Sequence, residues 1–270
     1  MRVALLVEYD GTDFSGWQVQ PGERTVQGVI QESLNRITHQ PLHILGAGRT
    51  DTGVHASGMV AHVDLPDGTD LRRIMLGVNG TSGYDVVIKD IRPVPADFNA
   101  RFAAHSRTYE YTVIEGFSAL FRRHSWQLWK HPDIELMQQC AQLLYGEHDF
   151  TSFSRATEDV SHFRCTIDLS EWKSYGTRFA FSVRANRFVR GMVRALTGAM
   201  VQVGVGAVEL ETFARLLHEP QELDRAKWMA PARGLVLTHV GYPERLGLWE
   251  EDEKIDLVKT IGWTSLGGRL

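Results

Sequence analysis

Apolar and polar residues follow two different periods along this chain, and their order of appearance predicts the architecture. Arg2 to Glu8 is a β-rich apolar run, and the polar, glycine-punctuated stretch Tyr9 to Glu23 predicts a long loop. Thr25 is placed to cap a helix whose apolar positions Val26, Val29, Ile30, Leu34 and Ile37 keep the three-and-four spacing of one buried face. A short strand, Leu42 to Ala47, leads into a Gly/Asp/Thr loop. A second strand follows, in which Met59, Ala61, Val63 and Leu65 recur with period two. Asp70 to Val78 reads as a helix and Val86 to Val94 as a strand, so the first hundred residues spell β-α-β-β-α-β.

The second half repeats that order with different letters. Arg107 to Ile114 is a strand. Asp133 to Tyr145 is a helix carrying Ile134, Met137, Ala141 and Leu144 on one face, with Gly146 placed to stop it. Thr166 to Lys173 and Arg178 to Asn186 are strands, the latter alternating Phe179, Phe181, Val183 and Ala185. A helix over Phe188 to Val203, a shorter one around Thr212 to His218 and a strand over Leu235 to Val240 complete the set. The expected class is α+β, with two ferredoxin-like βαββαβ halves, residues 1–104 and 105–270, and an acidic tail from about residue 244. No Pro/Gly/Ser-rich spacer separates the halves near Ala103 to Ser106, so two antiparallel sheets docked around a central cleft are expected rather than two modules on a linker.

Composition narrows the function classes. At 43% hydrophobic and 23% charged the 270 residues form a packed protein. The start MRVALLVEYD lacks the apolar run of a secretory signal, and the longest apolar stretch, Phe188 to Val208, is broken by Arg190 and Arg194, so a soluble cytoplasmic protein is expected. Cys140 and Cys165 lie 25 residues apart, outside any CxxC pair, which suits neither a disulfide framework nor a structural zinc site. The net charge of −4 hides a local cationic stripe. Between Thr177 and Val208 there are five arginines (Arg178, Arg184, Arg187, Arg190, Arg194) and no carboxylate, so a nucleic-acid partner is permitted by distribution.

Three constellations can carry chemistry. The loop Gly46 to Ala56 holds Arg49, Asp51 and His55 among three glycines, although such residues also serve ordinary turns. Asp51-Thr52-Gly53 spells the aspartic protease signature. No second D-T/S-G supplies the partner aspartate, so that chemistry would require a symmetric dimer of a smaller, all-β fold. On a helical projection from Phe188, the apolar face Val189, Met192, Val193, Leu196 and Met200 opposes a cluster of Arg187, Arg190 and Arg194. Cations at a helix N-terminus oppose its dipole, so the cluster calls for an anion, phosphate or carboxylate. Tyr109, Tyr111 and Val113 share one strand face, where the tyrosines can be sheet filling or a surface for stacking a flipped base.

Taken in order, these residues resemble the bacterial tRNA pseudouridine synthase A family over nearly the whole chain up to about Tyr242. The marks are Tyr9-Asp-Gly-Thr with Gly16-Trp-Gln, Gly48-Arg-Thr-Asp-Thr-Gly-Val-His-Ala56, Ala100-Arg-Phe102 and Arg107-Thr-Tyr109. They continue with Gly146-Glu-His-Asp-Phe150 and Ser152-Phe153, Phe188 with Met192-Val-Arg194, and Gly234-Leu235. The resemblance implies an isomerase that converts uridine to pseudouridine at positions 38, 39 and 40 of the tRNA anticodon stem-loop, without cofactor or metal, as a homodimer. By resemblance Asp51 is the nucleophile, Arg194 its partner and Tyr109 a contact to the target base. Arg49 helps displace the nucleotide, and Arg187, Arg190 and Leu235 complete the substrate contacts. The chain departs from the family pattern at Thr52, at Asn99 and at Ser82-Gly83, none of which is a site residue. A non-catalytic RNA-binding protein or RNA chaperone of the same fold is the alternative, and it would bind tRNA without converting uridine. His55, His148 and Asp149 are expected to make structural hydrogen bonds only.

Overall fold

The computed structural model describes residues 1–155, 162–224 and 227–250; most of the acidic tail lies outside the described residues. The first half contributes β1 (Arg2–Tyr9), α1 (Val26–Thr38), β2 (Leu45–Gly46), β3 (His55–Asp64), α2 (Leu71–Thr81) and β4 (Val86–Pro93). The second half contributes β5 (Ser106–Glu115), β6 (Trp126–Leu128), α3 (Ile134–Leu143), β7 (Gly146–Asp149), β8 (Arg164–Tyr175), β9 (Arg178–Ala185), α4 (Met192–Gly204), α5 (Leu210–His218) and β10 (Leu235–Gly241).

Helix starts follow local chemistry. Thr25 accepts a hydrogen bond from Gly28 N, Asp70 from Arg72 N and Arg73 N, and Asp133 from Glu135 N and Leu136 N, each satisfying donors that a first turn leaves open. α4 begins at Met192, four residues later than the periodicity predicts, because Gly191 takes a left-handed backbone (φ +75°) that no helix continues through. Arg187 and Arg190 therefore sit in the turn before α4 and only Arg194 rides on it, so the three do not form one helix face. β6 and β7, three and four residues long, escape a periodicity reading, and the strand expected over Leu42 to Ala47 shrinks to two residues.

All strands among the described residues lie in a single mostly antiparallel sheet of order β4-β1-β3-β10-β5-β9-β8-β7, with β2 added to β3 and β6 to β5. The missing spacer near Ala103 to Ser106 predicts two docked sheets; instead one continuous sheet runs through both halves of the sequence, joined edge to edge. The last strand makes the join: β10 runs antiparallel to β5, from Leu235 opposite Tyr111 to Gly241 opposite Ser106, and parallel to β3 at Val236 opposite His55 and Leu237 opposite Ala56. β2 occupies the other end of the same β3 edge, at Ala61 and His62. Close approach of β10 requires Gly58, where a Cβ would stand 2.1 Å from Thr238 O.

Two hydrophobic cores follow. One packs β1, β3, α1 and α2 around Leu5, Ile30, Leu34 and Met59; the other surrounds α4 with Phe153, Phe179, Phe181 and Phe213. They interlock at the midline, where Val54 joins the second core, Leu237 joins the first, and Tyr109 touches both. Cys140 and Cys165 are free and buried, and burial raises their thiols to about 12 and about 11, so both are inert at neutral pH. No helix among the described residues is long and apolar enough to cross a membrane.

Candidate active site

The Asp51 loop is seated on the loop that follows β1. Trp17 N donates to Thr50 O at 3.2 Å, Gly53 N to Phe14 O at 3.3 Å, and the hydroxyls of Tyr9 and Thr50 meet at 2.8 Å in a buried position. Two glycines permit this contact. A Cβ on Gly46 would stand 2.6 Å from the Trp17 ring, and Gly16, at φ +87°, would place one 2.6 Å from Thr50 O. The Tyr9 and Gly16-Trp17 motifs thus fix the peptide immediately before Asp51, a role that residue-by-residue inspection of the loop does not disclose.

The carboxylate so held meets the other half. Arg194 Nη1 donates to Asp51 Oδ2 at 3.2 Å across 143 residues of sequence, while Arg194 Nε donates to Ala230 O at 2.9 Å and fixes the guanidinium plane. The side chains are 14% and 24% exposed, enclosed enough to strengthen the pair yet open enough for a ligand to reach the carboxylate. Of the three arginines that called for an anion, Arg194 finds it in the Asp51 carboxylate, whereas Arg187 and Arg190, in the turn before α4, do not touch it.

Tyr109 stands on the same strand face as Tyr111 and packs edge-on against Phe188, with centroids 5.2 Å apart at 89°. Burial raises its hydroxyl to about 12, Arg107 opposes that shift and the nearby Asp51 charge adds to it, so the ring stays neutral at physiological pH. Tyr111, by contrast, is core: its hydroxyl donates to Pro231 O at 2.7 Å, and its ring lies so close to Gly234 that a Cβ there would be 2.6 Å away. Leu235 is also nearly buried, opposite Tyr111 in register.

The remaining arginines divide. Arg49 and Arg190 are exposed and make no side-chain hydrogen bond or ion pair among the described residues, whereas Arg187 Nη1 lies 3.4 Å from His162 Nε2. Arg178 and Arg184 leave the stripe altogether: they pair with Glu110 and Asp168, both at 2.8 Å, on the sheet face opposite the helices. A cavity of about 490 Å³ on that opposite face is lined by Asp168, Arg184, Tyr242 and Trp249 among others, and none of Asp51, Tyr109 or Arg194 reaches it.

The histidines near the motifs are satisfied locally. His55 Nδ1 accepts from Gly11 N at 3.0 Å and its Nε2 faces Arg123 O and Arg233 O, while His148 Nε2 faces Tyr145 O and Asp149 accepts from Thr151 N. Asp10, His55 and His124 place ligand atoms within 4.8 Å of one another, but the ring nitrogens of His55 are already engaged.

A residue named above only as part of the Arg107-Thr-Tyr109 motif, with no role assigned, is Arg107, two positions from Tyr109 on the same face. Its guanidinium donates to Ala47 O at 2.8 Å, Arg101 O at 2.9 Å, and Ala104 O and Asn186 O at 3.2 Å. One side chain thereby ties the start of the Asp51 loop to the segments bearing Arg101 and Arg187. The period-two spacing from Tyr109 was the signal available for it.

A sequence profile of the tRNA pseudouridine synthase family matches residues 5–103 and 140–243, well over half of the chain. The chain belongs to this family. A tRNA pseudouridine synthase A from Chlorobaculum tepidum is 41% identical over 244 residues, covering 89% of this chain and 97% of that protein. Those of Bacteroides thetaiotaomicron and Porphyromonas gingivalis are 36% and 39% identical, covering 96% and 92% of this chain and 97% and 99% of theirs. Within this pseudouridine synthase, Asp51 falls in the first matched block, Arg187, Arg190, Arg194 and Leu235 in the second, and Tyr109 between them.

Proposed function

We propose that this enzyme isomerises uridine to pseudouridine at positions 38, 39 and 40 of the tRNA anticodon stem-loop, with Asp51 as its catalytic carboxylate. The observation that carries this reading is the 3.2 Å contact between Arg194 and Asp51, an enclosed and oriented ion pair shared by the two halves. The reaction breaks the bond from N1 to C1′, turns the base and joins C5 to C1′, with the C5 proton lost and N1 taking one up. A site for it must hold both fragments and keep water out. A carboxylate oriented by a guanidinium is suited to attack C1′ or the ring, or to remove a sugar proton, and then to leave. The neutral ring of Tyr109 offers the everted base a stacking face, Arg49, Arg187 and Arg190 offer cations to phosphate and to the displaced strand, and Leu235 lines the apolar floor.

The finer architecture belongs to the same proposal. The strand orders β4-β1-β3-β2 and β10-β5-β9-β8 are both the split βαβ order, which supports two ferredoxin-like halves, residues 1–104 and 105–270, with the cleft at their junction on the helix side. The enzyme acts in the cytoplasm as a homodimer in this reading. The test is chemical mapping of pseudouridine on tRNA incubated with wild-type, Asp51→Ala and Asp51→Asn proteins. Modification at the three positions by the wild type alone is expected. Undiminished activity in either variant would overturn the assignment, and binding without turnover by the wild type would favour the RNA chaperone.

A further inference from the structure

We infer that the turn Asn99 to Ala103 is a second RNA contact, in which Phe102 stacks on an unpaired base of the substrate loop beside the everted uridine and Arg101 holds its phosphate. This inference rests on the proposed function and adds a binding subsite to it. Phe102 is 80% exposed, so it contributes little to the core, and the Arg101 guanidinium stands 5.6 Å over its ring. Singly exposed apolar side chains are ordinary; what distinguishes this one is how firmly its backbone is held. Asn99 Oδ1 accepts from Arg101 N at 3.0 Å and Phe102 N at 3.2 Å, His62 Nδ1 accepts from Ala100 N at 3.2 Å, and the Tyr242 hydroxyl donates to Ala100 O at 2.7 Å. Arg107 then ties Arg101 O at 2.9 Å to Ala47 O at 2.8 Å, four residues before the catalytic carboxylate. A rigid turn thus presents an aromatic ring and a cation next to the Asp51 loop.

Charge selects the occupant. In the three segments that Arg107 joins (46–53, 99–105 and 184–190), the sole carboxylate is Asp51, already paired with Arg194. Arg49, Arg101 and Arg190 are exposed there without a carboxylate partner among the described residues. Aromatic rings interleaved with unneutralised arginines suit single-stranded RNA, whose bases present π-faces and whose phosphates recruit the cations.

The test compares Phe102→Ala, Phe102→Trp, Phe102→Leu and Arg101→Ala with the wild type, using an anticodon-arm RNA hairpin. Phe102→Ala is expected to raise Kd and KM about 5- to 100-fold, the range for loss of one base-aromatic stack, with kcat changed less than about threefold. Phe102→Trp should restore affinity and Phe102→Leu should not, which separates stacking from simple apolar contact. Arg101→Ala should reduce the slope of log Kd against log salt by about one. Wild-type Kd and KM in Phe102→Ala, rescue by Leu equal to that by Trp, or a change in oligomeric state with RNA affinity intact would overturn the inference. If the wild type itself neither binds nor converts the RNA, the functional reading fails instead, and the two failures are distinguishable.

Discussion

Replacing Gly16 by alanine tests whether the loop after β1 sets the position of the Asp51 carboxylate. At φ +87° a side chain meets two penalties. The left-handed backbone alone costs about 1–2 kcal/mol for a residue with a Cβ. The added carbon would stand 2.6 Å from Thr50 O and 3.3 Å from the Asp51 carbonyl carbon, so the peptide before Asp51 must retreat. Overpacking of this kind costs about 1–3 kcal/mol more. Together these give about 2–5 kcal/mol, or a fall in Tm of about 4–20 °C at this size. A displacement of roughly half an ångström at the reacting group should lower kcat about 10- to 100-fold, given that one ångström can cost about a hundredfold. KM for tRNA should move little, since no cation is touched. Gly22→Ala is the internal control: its φ is also positive, at +77°, but a Cβ there meets nothing within 4 Å. It should lose only about 1–2 kcal/mol and keep wild-type kcat. Thermal unfolding and single-turnover pseudouridine formation read both. Wild-type kcat in Gly16→Ala, or equal damage from Gly22→Ala, would refute the reasoning.

Arg194→Lys keeps the charge but cannot bond Ala230 O and Asp51 together in one plane; kcat should fall about 10- to 100-fold, and about 100- to 1000-fold in Arg194→Ala, measured at saturating RNA. Near-normal kcat in the alanine variant would remove the ion pair from the mechanism. Stability should depend on pH through His62, whose pKa lies below the ordinary 6.5 because burial opposes the charged form and Arg2 repels it, with Asp64 pulling the other way. The unfolded chain then protonates first, so stability is greatest above pH 6.5 and falls as pH drops through that value toward the folded pKa. Urea midpoints at pH 8 and 5.5 should show this, with a smaller difference in His62→Gln; greater stability of the wild type at pH 5.5 would contradict it.

Much of the fold was legible because burial imposes period. The alternation of Phe179, Phe181, Val183 and Ala185 identifies β9, and the spacing from Val26 to Ile37 identifies α1. Failures came where backbone conformation or pairing partners decide. Gly191 stops α4 short of Phe188, which no count of apolar positions reveals, and whether β10 can lie against β3 depends on Gly58, 48 residues before β5 begins. The site divides similarly. Asp51 and Arg194 were visible as an acidic loop and a cationic helix start lacking an anion. The stripe count overreached for Arg178 and Arg184, because strand alternation turns them to the far face, where Glu110 and Asp168 receive them. Arg107 escaped because its partners are main-chain carbonyls, which leave no trace in side-chain identity.

The closing strand has a consequence for biosynthesis. Among the described strands β10 emerges from the ribosome last, and until it does β3 at His55 and Ala56 and β5 from Ser106 to Tyr111 lack a hydrogen-bonding neighbour on that side. A nascent or prematurely terminated chain ending before Leu235 therefore carries Asp51 and Arg194 on two pieces with no strand between them, and offers its open edges to any other extended polypeptide. The junction that brings Asp51 to Arg194 is thus completed only once Leu235 to Gly241 has been made, and a chain truncated upstream of that strand is expected to aggregate through its open edges.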